Sequence, residues 1–198
     1  MSSQKRPYRM TRRSELEELT RRRITESAVA LHEELGPAQT SISAIAERAG
    51  VRRSTVYRHF PDEEALFDAC SSHWRAANPA PDPRTWASIE DPDKRTHAAL
   101  TAMYAFYART EAMYASLYRD EQLVPPMARR LGDFRAYLDS VRDGLVAGRG
   151  LRGRRARLVR AALGHALAFS TWRSLARDQG LGVDDAVELS CRLVESVT

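Results

Sequence analysis

Cysteine is scarce: Cys70 and Cys191 are the only two in 198 residues. A single possible pair makes no disulfide framework, so both read as buried, idle thiols. No apolar run reaches the roughly 18 residues of a membrane span. The basic start, MSSQKRPYRMTRRSE, is followed by no apolar stretch, so it does not read as a secretory signal, and a cytoplasmic protein is expected. Lysine is nearly missing, with Lys5 and Lys94 the only two among 31 basic residues. Sustained alternation of apolar and polar residues is missing too, and β-branched residues are scattered, so strands are not expected. There is no GxSxG, HExxH or P-loop and no convergent carboxylate pair; no catalytic residue, cofactor or metal is expected. Cys70 and His73 have the spacing of two ligands on a helix but lack a second pair. Residues 148–153 spell GRGLRG, a literal GxGxxG. A helical pattern rather than a strand precedes them, so they read as a basic loop.

What is present is a globular composition, 43% hydrophobic and 29% charged, with helical periodicity throughout. Residues 1–60 hold 12 Lys/Arg against 7 Asp/Glu, while 61–198 hold 19 of each. The whole excess of +5 therefore lies in the first third, which suggests a polyanion partner there and equally fits a small chance excess. Residues 1–13 read as a basic flexible arm. A helix over Ser14–Leu35 carries Ile24, Ala28, Leu31 and Leu35 on one face and stops at Gly36-Pro37. Asp62 can cap a helix over residues 62–77, with Leu66, Ala69, Cys70 and His73 on one face. Four prolines between Asn78 and Asp93 mark a linker. Further helices are expected at about Asp93–Arg109, Glu111–Leu123, from Pro125-Pro126 to the glycines at 148–153, Arg154–Gln179 and Val183–Val197. The fold class is all-α, with residues 14–77 and 78–198 as two domains.

The segment Ser41–Phe60, SISAIAERAGVRRSTVYRHF, has the physics of a helix-turn-helix. Ala46 and Ala49 are small where two short helices cross, and Gly50 can take the left-handed conformation that ends the first helix. At about 100° per residue Val56 and Phe60 share one face of the second helix. Ser54 and Arg58 lie opposite, flanked by Thr55 and Tyr57, with Arg52 and Arg53 at the start. Arginines and hydroxyls on a helical N-terminal turn suit the major groove and phosphates. The same pattern also fits two surface helices with a solvated arginine face.

Residues from about Ile24 to Cys70 closely resemble the DNA-binding domain of TetR-family transcriptional regulators. Ser41, Ile45, Ala46, Ala49, Gly50, Val51, Thr55, Val56, Tyr57, Phe60 and Leu66 stand where the family signature has Thr, Ile, Ala, Ala, Gly, Val, Thr, Leu, Tyr, Phe and Leu. The resemblance implies a homodimer on a palindromic operator in double-stranded DNA, with Ser41, Ser43, Arg52, Arg53, Ser54, Thr55, Tyr57 and His59 at DNA-facing positions; Arg58 joins the set from its place on the outer face of the second helix. Glu63 departs from the pattern: the family often has Lys there, and a carboxylate would repel phosphate. Arg21, Arg22, Arg23 or the basic arm could compensate.

The resemblance further implies that the second domain dimerises, through about 154–179 and 183–197, and encloses a small-molecule effector. Leu158, Leu189, Leu193 and Val197 could form the apolar seam, with Ala161, Ala162, Ala166 and Ala168 allowing close approach. Met103, Tyr104, Tyr107, Met113, Tyr114, Leu117, Tyr118, Phe134, Tyr137, Phe169 and Trp172 are the effector candidates: large apolar walls with a few polar tips, suited to an apolar or aromatic molecule. Plain core or dimer contacts would use the same residues. The expected function is a ligand-responsive repressor, with the helix over 62–77 as lever between the domains. A ligand-independent DNA-binding dimer, or an activator of the same fold, is the alternative.

Overall fold

The first helix, α1 (Lys5–Glu34), presents Ile24, Ala28 and Leu31 to the interior. Around that stripe the chain adds α2 (Ile42–Arg48), α3 (Arg53–His59) and α4 (Glu63–Ala77). Ile45, Ala46, Ala49, Val56, Phe60, Leu66 and Cys70 complete one buried cluster. In this computed structural model residues 5–197 are described, with side chains for 12–197. Helix α1 begins at Lys5, so residues 5–13, expected as an arm, continue it; residues 1–4 lie outside the described part.

The remaining elements are α5 (Arg84–Ala87), α6 (Pro92–Asp120), α7 (Pro125–Ala147), α8 (Gly153–Ala166), α9 (Phe169–Arg173), a π-helical turn (Ser174–Asp178) and α10 (Val183–Glu195). No strand occurs among the described residues, and no helix there is long and apolar enough to cross a membrane. The chain forms two compact units. One comprises the chain up to Asn78 together with Ala115–Ala128; the other comprises Pro79–Tyr114 and the chain from Arg129. The boundary in sequence therefore differs from a single cut near residue 78: fourteen residues beyond the linker belong to the first unit.

In the first unit the turn between α2 and α3 is fixed by backbone geometry. Gly50 has φ +63°, its N–H reaches Glu47 O at 3.0 Å, and Val51 N–H reaches Ala46 O at 2.9 Å. This pair of bonds is a Schellman motif, which satisfies the last carbonyls of α2 and turns the chain into α3. A Cβ at Gly50 would meet nothing within 4 Å, so only the left-handed backbone resists substitution. Gly50→Ala is expected to cost about 1 kcal/mol, read as a lowered denaturation midpoint at unchanged slope. Trp74 anchors α4 to α1 by donating its indole N–H to Glu33 Oε1 at 2.8 Å.

The second unit differs from the expected helices in two places. Residues expected as two helices, 93–109 and 111–123, are one: α6 runs unbroken from Pro92 to Asp120. Thr110 does not interrupt it, because its hydroxyl bonds back to Phe106 O at 2.6 Å and leaves the helical backbone intact. Conversely, the helix expected over 154–179 is broken. Helix α8 stops at Ala166, and Ala168 takes an extended conformation before α9. The carbonyls around that break are taken up by hydroxyls: Thr171 bonds His165 O at 2.6 Å, Tyr104 bonds Ala166 O at 2.9 Å, and Tyr107 bonds Leu167 O at 2.7 Å. Unpaired buried carbonyls would be costly, and these three donors make the break tolerable.

The GRGLRG stretch lies between α7 and α8. Its Arg149 side chain is almost wholly buried and clamps the start of α6. It pairs with Asp93 at 2.8 Å and donates to Thr96 Oγ1 at 2.8 Å and Pro92 O at 3.1 Å.

Candidate nucleic-acid interface and effector cluster

Helix α3 is amphipathic across its width. Val56 and the following Phe60 are each 1% exposed, while Arg53, Ser54, Tyr57 and Arg58 stand in solvent and Thr55 is half-buried. Burying the first pair orients the second. Arg52 is the N-cap residue of α3, in extended conformation and without a side-chain cap bond. No acid lies in the first turn, so the positive end of the helix and two guanidiniums face outward together. Arg53 is steadied by Tyr57: it donates to the Tyr57 hydroxyl at 3.2 Å, and its guanidinium lies 5.6 Å from the ring centre. Neither Arg52 nor Arg58 has an ion-pair partner among the described residues.

Ser41 caps α2, its hydroxyl accepting from Ala44 N–H at 3.1 Å. Ser43, two residues further on, is exposed. All nine expected DNA-facing residues thus lie on α2 and α3 or cap them. His59 is half-buried, and its imidazole is held below its ordinary pKa first by burial and then by Arg58 and Arg21, so it is neutral at neutral pH. Its Nε2 is buried without a hydrogen-bond partner among the described residues.

Arg21 is used differently from the expectation. Its Nη1 donates to His59 O at 2.7 Å, and its guanidinium sits 4.2 Å from the Phe60 ring centre. It therefore buttresses the C-terminal end of α3, where a cation suits the helix dipole, while Arg22 and Arg23 are exposed. Asp62 caps α4 by accepting from Ala65 N–H at 2.7 Å. Glu63, exposed in the first turn of α4, attracts Arg53 and helps hold it charged.

In the second unit the rings of Tyr107, Tyr114, Phe134, Phe169 and Trp172 form one cluster. Tyr114 and Phe134 are 4.7 Å apart between centres, Tyr107 and Phe169 5.4 Å, and Phe169 and Trp172 5.6 Å. Phe106, absent from the expected set, joins it against Tyr107, Tyr114 and Phe134. Its spacing of seven from Met113 on one helix was the available signal. Tyr137 stacks on Phe134, donates to Pro81 O at 2.7 Å and contacts Met103 Sδ at 3.5 Å. Tyr104 lies with Ala166 and Ser190, bonding Ser190 Oγ at 2.8 Å, and burial raises its phenol to about 12. Leu117 and Tyr118 fall in the first unit and are half-buried there. Trp172 Nε1 is buried without a partner among the described residues, two residues before the start of the π-helical turn.

On α8 and α10 the leucines Leu158, Leu189 and Leu193 are 40%, 39% and 54% exposed. Val197 is half-buried. Ala161 is exposed, and Ala162 and Ala168 are half-buried, whereas Ala166 is buried.

Residues 24–70 match the bacterial regulatory proteins of the tetR family. Solved structures share the fold over nearly the whole chain. A TetR-like transcriptional regulator from Rhodococcus sp. RHA1 is 21% identical with TM-score 0.64, covering 89% of this chain and 93% of its own. The fatty acid degradation regulator FadR from Bacillus halodurans is 17% identical with TM-score 0.60, covering 88% and 93%. A TetR transcription regulator from Haloarcula marismortui is 11% identical with TM-score 0.62, covering 90% and 98%. No curated protein matches the chain at a significant level. The motif over residues 24–70 is that of a DNA-binding helix-turn-helix, set in an all-helical chain. Residues 24–70 thus match the helix-turn-helix segment of the tetR family, and the chain as a whole shares the fold of these TetR-like structures.

Proposed function

We propose that the protein is a homodimeric repressor that acts in the cytoplasm, binds a palindromic operator and is released by a small apolar or aromatic effector. The observation that carries the DNA reading is the outward edge of α3, where Arg52, Arg53, Ser54, Tyr57 and Arg58 are exposed above the buried Val56. Ser41, Ser43, Thr55 and His59 flank that edge as further contacts. Two copies would have to present their α3 helices about 34–36 Å apart, one turn of DNA. The apolar strip of Leu158, Leu189 and Leu193 on α8 and α10, open in the single chain, supports dimerisation there, since exposed leucines in register mark an association face.

For the effector, Met103, Tyr104, Tyr107, Met113, Tyr114, Phe134, Tyr137, Phe169 and Trp172 are the candidate lining in the second unit; Leu117 and Tyr118, expected among them, belong to the first unit and are left out of it. An effector with an acceptor group would satisfy Trp172 Nε1. By linkage it must bind the DNA-incompetent state more tightly than the competent one. A second reading has a specific observation behind it: the hydroxyls of Tyr104, Tyr107 and Tyr137 are spent on backbone carbonyls, as a ligand-independent dimer would have them.

The experiment is selection of duplexes from a random pool by the full-length protein, followed by binding titration with the selected duplex. A palindromic winner bound by a dimer supports the proposal; recovery of no sequence above background overturns it. Thr55→Ala and Tyr57→Phe are each expected to weaken that duplex by about 1–3 kcal/mol; unchanged affinity in an anisotropy titration would remove them from the interface. Arg58→Ala is expected to lower the slope of log K against log salt by about 0.9, the signature of one lost phosphate contact. An identical slope would leave Arg58 in solvent.

A further inference from the structure

The DNA-binding unit contains a short piece of chain that the family match at 24–70 leaves out: Ala115–Ala128, which includes the end of α6. Asp120, the last residue of α6, is only 2% exposed. Its carboxylate accepts the backbone N–H of Ala38 at 3.0 Å, in the turn joining α1 to α2. It also accepts from its neighbour Arg119, through Nε at 2.7 Å and Nη2 at 3.1 Å. The same guanidinium donates to Leu35 O at 2.8 Å, just beyond the end of α1. The pair therefore holds the turn on both sides of Gly36. Gly36 itself has φ +92°, and a Cβ there would collide with the Arg119 guanidinium and the Asp120 carboxylate. Glycine is required twice over, for its backbone and for the space it leaves.

From this fixed point the path to the recognition edge is short. Gly36 O accepts the Thr40 hydroxyl at 2.8 Å, and Ser41 caps α2. Helix α2 then packs on α3 through Ala46 and Ala49 and the Schellman turn. A buried carboxylate is retained here at a desolvation cost, which its three donors offset. The Arg119 bonds, opposed by burial and aided by the Ala38 amide, keep its pKa below the ordinary aspartate value, so it stays charged at neutral pH.

We propose that Asp120, assisted by Arg119, is a positioning residue for DNA recognition, setting the attitude of α2 and α3 from a point sixty residues beyond the helix-turn-helix. This rests on the DNA-binding reading above. It assigns to the α6 terminus a part in operator selectivity that neither residue type nor motif announces. Ala38 is exposed, so water can take its N–H when the carboxylate is removed. The loss then falls on orientation more than on folding.

The test uses the full chain, the duplex selected from a random pool by the wild type, and a scrambled duplex of equal length. Asp120→Ala is expected to bind the selected duplex about tenfold more weakly, the effect of one lost hydrogen bond to a charged group. Its affinity for the scrambled duplex and the salt slope on that duplex should match wild type, because the phosphate contacts are untouched. Asp120→Asn, which keeps an acceptor oxygen for Ala38, should recover most of the selectivity. Arg119→Ala, a change at a half-exposed side chain, keeps the idea testable if Asp120→Ala does not fold, and should lose selectivity severalfold. Equal affinity of all variants for the selected duplex would overturn the proposal. So would a parallel loss on both duplexes with a lowered melting midpoint, which marks a merely structural residue. Failure of the wild type itself to select any duplex would instead sink the DNA-binding reading, and this inference with it.

Discussion

Replacing Leu189 and Leu193 together by glutamate is expected to yield a folded monomer that binds the selected duplex at least a hundredfold more weakly. Both leucines are well exposed in the single chain, at 39% and 54%, so the change leaves the core of Ala186, Val187, Ser190, Cys191 and Val194 on the other face of α10 intact. In the proposed dimer the same two side chains occur twice across a two-fold seam. If each forfeits about 1 kcal/mol of burial, the four lost contacts weaken association by roughly 4 kcal/mol, close to a thousandfold in the dimer constant. Like charges brought together on the two copies add to that. Sedimentation velocity reads the assembly state and circular dichroism the fold. A double variant that stays dimeric would move the interface elsewhere on the chain.

Acid is expected to unfold the DNA-binding unit early, through His32. This side chain is 9% exposed, lies 5.7 Å from the Phe67 ring centre, and burial lowers its pKa from 6.5 to about 4. Between those two values the unfolded chain binds a proton that the folded chain refuses. The penalty is therefore absent above about pH 6.5, grows as pH falls, and levels off below pH 4 at about 3 kcal/mol. That is a large share of the stability of a small unit. Denaturant midpoints at pH 7.5 and pH 4.5 should diverge strongly for the wild type and much less for His32→Leu. Equal losses in the two proteins would assign the acid sensitivity to other groups.

The helix-turn-helix was legible because its determinants are local. Gly50, the two alanines before it and the spacing of Val56 and Phe60 specify two short helices and their crossing without help from distant residues. The core stripe of α1 was legible for the same reason, since Ile24, Ala28 and Leu31 repeat at helical spacing. What failed to show was decided at long range. The break after Ala166 contains no glycine or proline; it is held by Tyr104 and Tyr107, some sixty residues away in sequence. The continuity of α6 through Thr110 depends on a hydroxyl turned back on its own helix. Charged residues were the least legible. Arg21, Arg119 and Arg149 look in sequence like any other members of an arginine-rich surface, yet each is committed to a backbone carbonyl or a buried acid. In the effector candidates the ring types were readable, but the cluster's membership was not: Phe106 belongs to it, and Leu117 and Tyr118 lie in the other unit.

Both native thiols are hidden and hard to ionise, with Cys70 pushed up to about 12 and Cys191 to about 11 by burial. Maleimides and other electrophiles attack the thiolate, whose population at pH 7.5 is then a vanishing fraction. A cysteine placed at exposed Ser54 or Ser43 would accordingly take up a fluorophore or spin label in the native protein without removal of Cys70 or Cys191. In the proposed dimer the distance between two such labels, one per copy, could then be followed as duplex is added.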